Sequence, residues 1–269
     1  AFRGAGQLHG AGMSAPPVPR EMEGGMLPAL EAWRRGAPLR LPPMELVHAS
    51  IDGQPVTFCL NIARDPIQNA HRAGQFYEAE ELAAIGTLVP RGGVFLDIGA
   101  NVGNHALYFA LMLGARRVMV IEPNPLALPA LVGNVLANGL DGRVDLSRLG
   151  FGLSDHNAGG YAMKRHDVNL GATRLRVAPE GDLTVRIGDE VFPRARPDLV
   201  KIDVEGMEMG VLRGLEALIA RARPVLLVEV DEENAGEFAG WAERHRYRIH
   251  LSRRHGARNI NHILVADAA

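Results

Sequence analysis

The stretch VFLDIGANVGNHALYFA, from Val94 to Ala110, and the following RVMVIEP, from Arg117 to Pro123, decide the fold of this chain. An apolar strand leads into a turn that contains Gly99 and Gly103, and a helix and a second strand ending in a carboxylate follow. This order is typical of the βαβ unit with which a parallel sheet builds a pocket for an adenosine-containing cofactor.

The residues of this turn favour one cofactor over another. Asn101 stands where the dinucleotide fingerprint GxGxxG has the glycine that lets the backbone approach a pyrophosphate. Asp97 is expected at the mouth of the first strand, where a carboxylate repels phosphates and suits an ammonium or sulfonium group. Glu122 is placed to accept hydrogen bonds from both ribose hydroxyls. The pattern favours S-adenosylmethionine, although the spacing of 25 positions between Asp97 and Glu122 also permits NAD.

Further motifs connect the chain to a known family. Together with DIGANVGNH and VIEPNP, the segment DLVKIDVEGMEMGVLRGL, from Asp198 to Leu215, resembles the FkbM-type family of S-adenosylmethionine-dependent methyltransferases. GQFYEAEEL, GLSD and PVLLVEV match the family in the same order, so that the resemblance spans roughly Gly74 to Asp267 and leaves 158–189 unmatched. The resemblance implies a methyltransferase with S-adenosylmethionine as its cofactor.

The alternation of strands and helices predicts an α/β fold. We expect a Rossmann-like, seven-stranded, mostly parallel sheet with an antiparallel C-terminal strand and helices on both faces, as in class I methyltransferases. The predicted strands are Val94–Ile98, Arg117–Ile121, Val144–Phe151, Leu199–Asp203, Val225–Val230, Tyr247–Leu251 and His262–Ala266. The predicted helices are Glu78–Leu88, Asn104–Leu113, Pro125–Asn138, Glu208–Arg221 and Ala235–His245.

The chain divides into three parts in this interpretation. Residues 1–12 are expected to be additions ahead of a native start at Met13. Residues 13–72 are expected to form a small N-terminal extension that contains a β-hairpin turning at Asp52 and Gly53. Residues 73–269 are expected to form the methyltransferase domain.

The candidate cofactor-binding residues lie near the carboxyl ends of the predicted strands, where ligands bind in such sheets. The resemblance implies that Tyr77 and Glu78 fold over the methionine portion, and that the positions after the third strand contact adenine. The full candidate set is Tyr77, Glu78, Asp97, Gly99, Asn101, Gly103, Glu122, Asn124, Ser154 and Asp155.

Methyl transfer to a hydroxyl requires a general base, because the pKa of a hydroxyl lies far above neutrality. Asp203 and Glu205 are the first candidates, followed by Glu229 and His105, although each could instead cap a helix, anchor a loop or pack on the sheet. We expect the side chains of Asp203 and Glu205 to point to opposite sides if the strand continues through them, so that no metal site is expected there. Lys201 lies either at an edge or beside a carboxylate such as Asp203 or Glu229.

Composition excludes several classes of protein. The net charge of −2 gives no basic footprint for nucleic acid, and no apolar run is long enough to span a membrane. The single cysteine excludes an internal disulfide and fits the cytoplasm. We therefore expect O-methylation, or less readily N-methylation, of a small-molecule acceptor such as a sugar, glycolipid or secondary metabolite, with an oligomer possible. An NAD-dependent oxidoreductase and a non-catalytic cofactor-binding scaffold remain alternatives.

Overall fold

A computed structural model of the chain describes residues 25–164, 170, 173–255 and 258–267. These described residues belong to two compact units, which divide between Pro42 and Pro43. In the first unit, helix α1 spans Met26–Arg34. The interpretation of residues 1–12 as additions falls outside the described residues. Among the described residues, no helix combines the length and apolar character that crossing a bilayer requires.

The second unit contains the remaining elements. Its strands are β1 (Glu45–Ile51), β2 (Gln54–Leu60), β3 (Val94–Ile98), β4 (Arg117–Ile121), β5 (Val144–Asp145), β6 (Gly152–Ser154), β7 (Ala158–Lys164), β8 (Arg174–Val177), β9 (Leu183–Ile187), β10 (Leu199–Ile202), β11 (Val225–Asp231), β12 (Tyr247–His255) and β13 (Asn259–Ala266). Its α-helices are α2 (Pro66–Arg72), α3 (Ala79–Gly86), α4 (Asn104–Leu111), α5 (Leu128–Ala137), α6 (Gly188–Val191), α7 (Glu208–Gly214), α8 (Glu216–Ala222) and α9 (Ala235–Arg244). The hairpin β1–β2 and α2 therefore lie in the same compact unit as the large sheet.

The large sheet has seven strands in the order β12-β13-β11-β10-β3-β4-β5. Pairing is parallel from β11 through β10, β3 and β4 to β5, whereas β13 runs antiparallel between β11 and β12. The central strands β3 and β10 are almost entirely buried, as is typical of parallel strands covered on both faces. This confirms the predicted fold class.

The third strand is much shorter than predicted. Instead of continuing through Phe151, the chain leaves β5 at Asp145 and forms a short 3₁₀ turn over Leu146–Arg148. The Asp145 side chain accepts a hydrogen bond from the backbone N–H of Ser147, which competes with continued strand pairing. The prediction of one strand from Val144 to Phe151 is therefore wrong.

A second sheet was not predicted. It has four strands in the order β6-β9-β7-β8, and three of these strands, β7, β8 and β9, lie in the segment that matched no family motif. Polar, glycine-rich sequence with no clear alternation explains why this sheet was missed.

The predicted helix from Glu208 to Arg221 is two helices in the structure, α7 and α8, that join at Leu215.

The hairpin is fixed to helix α5 by asparagine side chains. Asn134 accepts a hydrogen bond from the Cys59 N–H at 2.6 Å and donates to the Val102 carbonyl at 2.7 Å. Asn138, one turn later, accepts from the Thr57 N–H at 2.8 Å. Because Val102 belongs to the glycine turn after β3, Asn134 connects the hairpin directly to that turn.

The buried Asn134 is expected to contribute more stability than the half-buried Asn138. We expect Asn134→Ala to lower the free energy of unfolding by about 2 kcal/mol, because it leaves a buried N–H and a carbonyl without partners. Asn138→Ala should cost less, because water can replace its bonds. Urea denaturation of both variants measures the difference, and equal losses would contradict the structural role assigned to Asn134.

Candidate active site

The register of the large sheet places four strand ends side by side. Ile98 of β3 pairs with Ile121 of β4 and Ile202 of β10, and Ile202 pairs with Val228 of β11. The next residues along these four strands are Gly99, Glu122, Asp203 and Glu229. Four candidates from distant parts of the sequence therefore come from neighbouring strands at one edge of the sheet.

Gly99 is required by the close approach of two chain segments. Its φ is 77°, and a Cβ at this position would lie 1.8 Å from the backbone oxygen of Asp203. Gly103 also has a positive φ, 88°, and its Cβ would lie 2.7 Å from a methyl group of Leu131. Steric constraint thus explains both glycines of the turn, with or without a ligand.

Glu122 fixes the glycine turn through hydrogen bonds to its backbone. Its two carboxylate oxygens accept hydrogen bonds from the backbone N–H groups of Asn101, at 2.7 Å, and Asn124, at 2.6 Å. Burial raises the pKa of Glu122 to about 7, although both N–H groups act in the opposite direction. Because each carboxylate oxygen can accept more than one hydrogen bond, Glu122 can still receive two hydroxyl donors from a ligand.

A cleft of about 590 Å³, including its open mouth, lies at this edge. Its walls include the candidates Gly99, Asn101, Glu122, Asn124, Asp203 and Glu205. The second sheet supplies Met163 of β7 and Leu175 of β8, and Thr173 directly before β8 also lines the cleft. Polar side chains at the strand ends and apolar side chains of the second sheet therefore line the same cleft, which suits a ligand that carries both kinds of group.

Asp97 does not lie at the mouth of the cleft, contrary to the expectation from the sequence. Its side chain is fully buried, and Oδ1 lies 3.3 Å from the Nζ of Lys201. Lys201 also donates to the Gly99 carbonyl at 2.6 Å and lies 3.2 Å from Asp203. Burial disfavours the charge, but Asp203 and Asp97 outweigh it and raise the pKa of Lys201. A buried ion pair therefore takes up the charge of Asp97, and Lys201 pairs with carboxylates instead of lying at an edge.

Three carboxylates converge beside the cleft. Strand β10 ends at Ile202, and the positive φ values of Glu205 (50°) and Gly206 (94°) reverse the chain direction. One oxygen from each of Asp203, Glu205 and Glu229 lies within 4.8 Å of the others, close enough to ligate a cation. The expectation that Asp203 and Glu205 face opposite sides is wrong: residues two apart share a face even in a continuing strand, and here the two carboxylates converge in the loop after β10.

These carboxylates differ in protonation. Burial, followed by repulsion from Asp203, raises the pKa of Glu205 to about 7 and that of Glu229 to about 9. At neutral pH the cluster therefore holds protons and carries less than its full formal charge.

Two asparagines on β13 reach this region and were missed from the sequence. Asn259 donates its side-chain amide to Glu229, and Asn261 donates to Glu78 at 3.0 Å. They are two residues apart, so that they share one face of the strand. The alternation of asparagine with apolar residues in NINHILV is the sequence signal that could have identified them.

Tyr77, Glu78 and His105 form a group beside the carboxylates. The Asn104 side chain accepts from the Tyr77 N–H at 2.9 Å and donates to the Tyr77 carbonyl at 3.0 Å. Nε2 of His105 lies 3.2 Å from a carboxylate oxygen of Glu78. Burial, together with the charges of Glu78 and Glu229, raises the pKa of Tyr77 to about 12. His105 thus contacts Glu78 and is not among the residues that line the cleft.

Ser154 and Asp155 lie outside the set of residues that line the cleft, and their contact with adenine stays a prediction. Because the chain turns away after β5, Ser154 enters the second sheet and packs against α7. Its backbone oxygen would lie 2.0 Å from a Cβ added at Gly214. Asp155 contacts His156 at 2.8 Å and Arg213 at 2.7 Å, and these bonds lower its pKa to about 2.

Comparison with known proteins agrees with this architecture. The Methyltransferase FkbM domain matches residues 97–256. The hexuronic acid methyltransferase AglP of Haloferax volcanii is 32% identical over 127 residues, which cover 45% of this chain and 49% of AglP. The AMB antimetabolite synthetase AmbE of Pseudomonas aeruginosa is 30% identical over 217 residues, 64% of this chain and 10% of AmbE. The chain thus spans about half of one relative and a small part of the other.

Solved structures show a more distant likeness. A methyltransferase FkbM from Methylobacillus flagellatus superposes with a TM-score of 0.46 and 18% identity, covering 64% of this chain and 44% of that one. The Bacillus subtilis tRNA methyltransferase TrmK gives a TM-score of 0.44 at 16% identity, over 72% and 68% of the two chains.

Gly99→Ala should be strongly destabilising, because the added methyl group would collide with the Asp203 backbone. We expect a loss of at least ~2 kcal/mol in the free energy of unfolding, measured by urea denaturation. Gly142→Ala is the matched control, since nothing lies within 4 Å of its Cβ position. Similar losses in both variants would show that the close approach is not rigid.

The raised pKa of Glu205 predicts a pH dependence of stability. A carboxyl whose pKa rises from 4.5 to about 7 on folding stabilises the protein fully below pH 4.5, and this contribution is lost as the pH rises to 7. Glu205→Gln should therefore become more stable relative to the wild type between pH 5 and pH 7 in urea denaturation. The exposed Glu243→Gln is the control, and parallel curves for all three proteins would refute the assignment.

Proposed function

Since this chain belongs to the Methyltransferase FkbM domain family, we propose that it transfers the methyl group of S-adenosylmethionine to a hydroxyl oxygen of a sugar. The observation that supports an adenosine-containing cofactor is the Glu122 carboxylate, which lines the cleft at the end of β4. A carboxylate in that position accepts hydrogen bonds from the two ribose hydroxyls of an adenosine-containing ligand.

The charge beside the cleft supports a cationic cofactor over a dinucleotide. Lys201 neutralises Asp97, but Asp203 and Glu205 line the cleft and favour a ligand with ammonium and sulfonium groups. Asn101, at a φ of 49°, also occupies the position where a dinucleotide fold needs glycine. When bound, S-adenosylmethionine supplies the electrophilic methyl group, and the protein supplies alignment and proton transfer.

Glu205 is the general base in this proposal. Its pKa of about 7 lies near the working pH, which is where a base is most effective. Glu229, with a pKa of about 9, is protonated at neutral pH and is therefore a poorer proton acceptor. Asp203 lies 3.2 Å from the ammonium group of Lys201, which suits it to a positioning role beside Glu205.

The proposed class of methyl acceptor rests on one relative and on the carboxylates that line the cleft. The hexuronic acid methyltransferase acts on a sugar acid, and this chain shares a matched region with it. Carboxylates such as Asp203 and Glu205 are suitable acceptors for sugar hydroxyl donors. We propose a small-molecule sugar acceptor, including acidic sugars, and neither nucleic acid nor protein as the substrate.

Titration calorimetry with S-adenosylmethionine and with NAD tests the cofactor. We expect binding of S-adenosylmethionine and none of NAD, and Glu122→Ala should weaken binding at least tenfold because it removes the ribose acceptor. Binding of NAD in its place would overturn the proposal.

Release of S-adenosylhomocysteine in the presence of sugar acceptors tests the reaction in the same preparation. Glu205→Gln should lower kcat roughly 10²- to 10⁴-fold while cofactor affinity stays within a few-fold. Glu243→Gln is the matched surface control. Unchanged turnover in Glu205→Gln would refute its role as base, and cofactor binding without turnover of any sugar would favour a non-catalytic scaffold.

A further inference from the structure

Arg174, at the start of β8, is not part of the cleft lining but lies directly beside it, at what we call the rim of the cleft. Its neighbours in the chain, Thr173 and Leu175, both line the cleft. Its guanidinium extends over the loop that follows β10, where Nη1 lies 3.6 Å from the Cβ position of Gly206. This loop carries Glu205, and the charge of Arg174 acts on that carboxyl by lowering its pKa. Arg174 is therefore close to the group proposed as the base.

The guanidinium is held in place by a buried partner. Nη2 of Arg174 lies 2.6 Å from Oδ2 of Asp231, whose side chain is 6% exposed, whereas that of Arg174 is 42% exposed. A guanidinium carries five N–H donors in a fixed plane, so that one bond to Asp231 sets its orientation without consuming its capacity. An oriented, solvent-accessible guanidinium suits the recognition of a carboxylate.

Among the residues that the structure describes, Arg174 contrasts with Lys201, a second cation beside the carboxylates. The Lys201 side chain is 3% exposed, and its ammonium contacts Gly99, Asp97 and Asp203. An ammonium group has three N–H donors, and these three contacts match them. Lys201 is therefore committed to the interior, and Arg174 is the cation of the two that an entering ligand can reach.

The negative charges beside the cleft indicate which kind of acceptor would need this cation. A neutral sugar needs no cation beside the base, whereas an acidic sugar would be repelled by Asp203 and Glu205 unless a positive group met its carboxylate. The protons held by Glu205 and Glu229 at neutral pH reduce this repulsion further.

We propose that Arg174 binds the carboxylate of an acidic sugar acceptor and so makes the site prefer hexuronic acids to neutral hexoses. The inference rests on the proposed function and deepens it. Arg174 acts here as a residue that determines specificity, while proton transfer stays with the carboxylates.

Two acceptors that differ in a single group provide the test. 4-Nitrophenyl β-glucuronide carries a carboxylate where 4-nitrophenyl β-glucoside carries a hydroxymethyl group. We expect the wild type to prefer the glucuronide in kcat/KM, measured by S-adenosylhomocysteine release. Arg174→Gln should raise the KM for the glucuronide, and its Kd in the presence of S-adenosylhomocysteine, roughly 10- to 100-fold, with a smaller change in kcat. The loss on the glucoside should be at least tenfold smaller, and Arg174→Lys should restore part of the affinity.

Matched variants separate recognition from folding. Arg176→Gln, two residues along the same strand and exposed, should retain the preference for the glucuronide. If Arg174→Gln fails to fold because Asp231 is left without its cation, the double variant Arg174→Gln/Asp231→Asn removes the unpaired charge of Asp231. The double variant then replaces the single variant in the test.

Three results would overturn the inference: equal losses on both acceptors, no wild-type preference for the glucuronide, or no turnover of the glucuronide. If S-adenosylmethionine binds and other sugars are methylated, the failure concerns Arg174 alone. If S-adenosylmethionine does not bind, the proposed function itself has failed.

Discussion

The buried ammonium of Lys201 is the interaction on which the rest of the site depends. It contacts the backbone carbonyl of Gly99 in the glycine turn, the carboxylate of Asp97 on β3 and the carboxylate of Asp203 directly after β10. A buried charge is tolerated only where such partners surround it, since desolvation costs several kcal/mol per ion. The contacts fix the glycine turn against the loop after β10, and the absence of a side chain at Gly99 allows that approach.

The same ammonium separates the roles of the surrounding carboxyl groups. Lys201 pairs with Asp97 and Asp203, whereas burial and the repulsion of Asp203 raise the pKa values of Glu205 and Glu229. One carboxyl then titrates near neutrality and another stays protonated, although all come from chemically similar residues. Arg174, exposed at the rim, adds a positive charge that a ligand can reach.

Prediction from sequence succeeded where local pattern and tertiary context agree. β3 and β4 have the predicted bounds, because each is a short apolar run with glycine or proline near its end. The third strand failed because an aspartate side chain bonds its own backbone within two residues and ends the pairing early. That early turn also explains why Ser154 and Asp155 lie outside the cleft.

The order of motifs in the sequence by itself determined the sheet, the family and the strand ends from which the candidate residues come, because hydrophobic periodicity and glycine turns are local properties. Only the tertiary structure decided which charges face a ligand. It buried Asp97 against Lys201, brought Glu205 to Glu229 through a reversal after β10, and carried Arg174 to the rim. Burial and charge pairing depend on segments distant in sequence, and no local pattern encodes them.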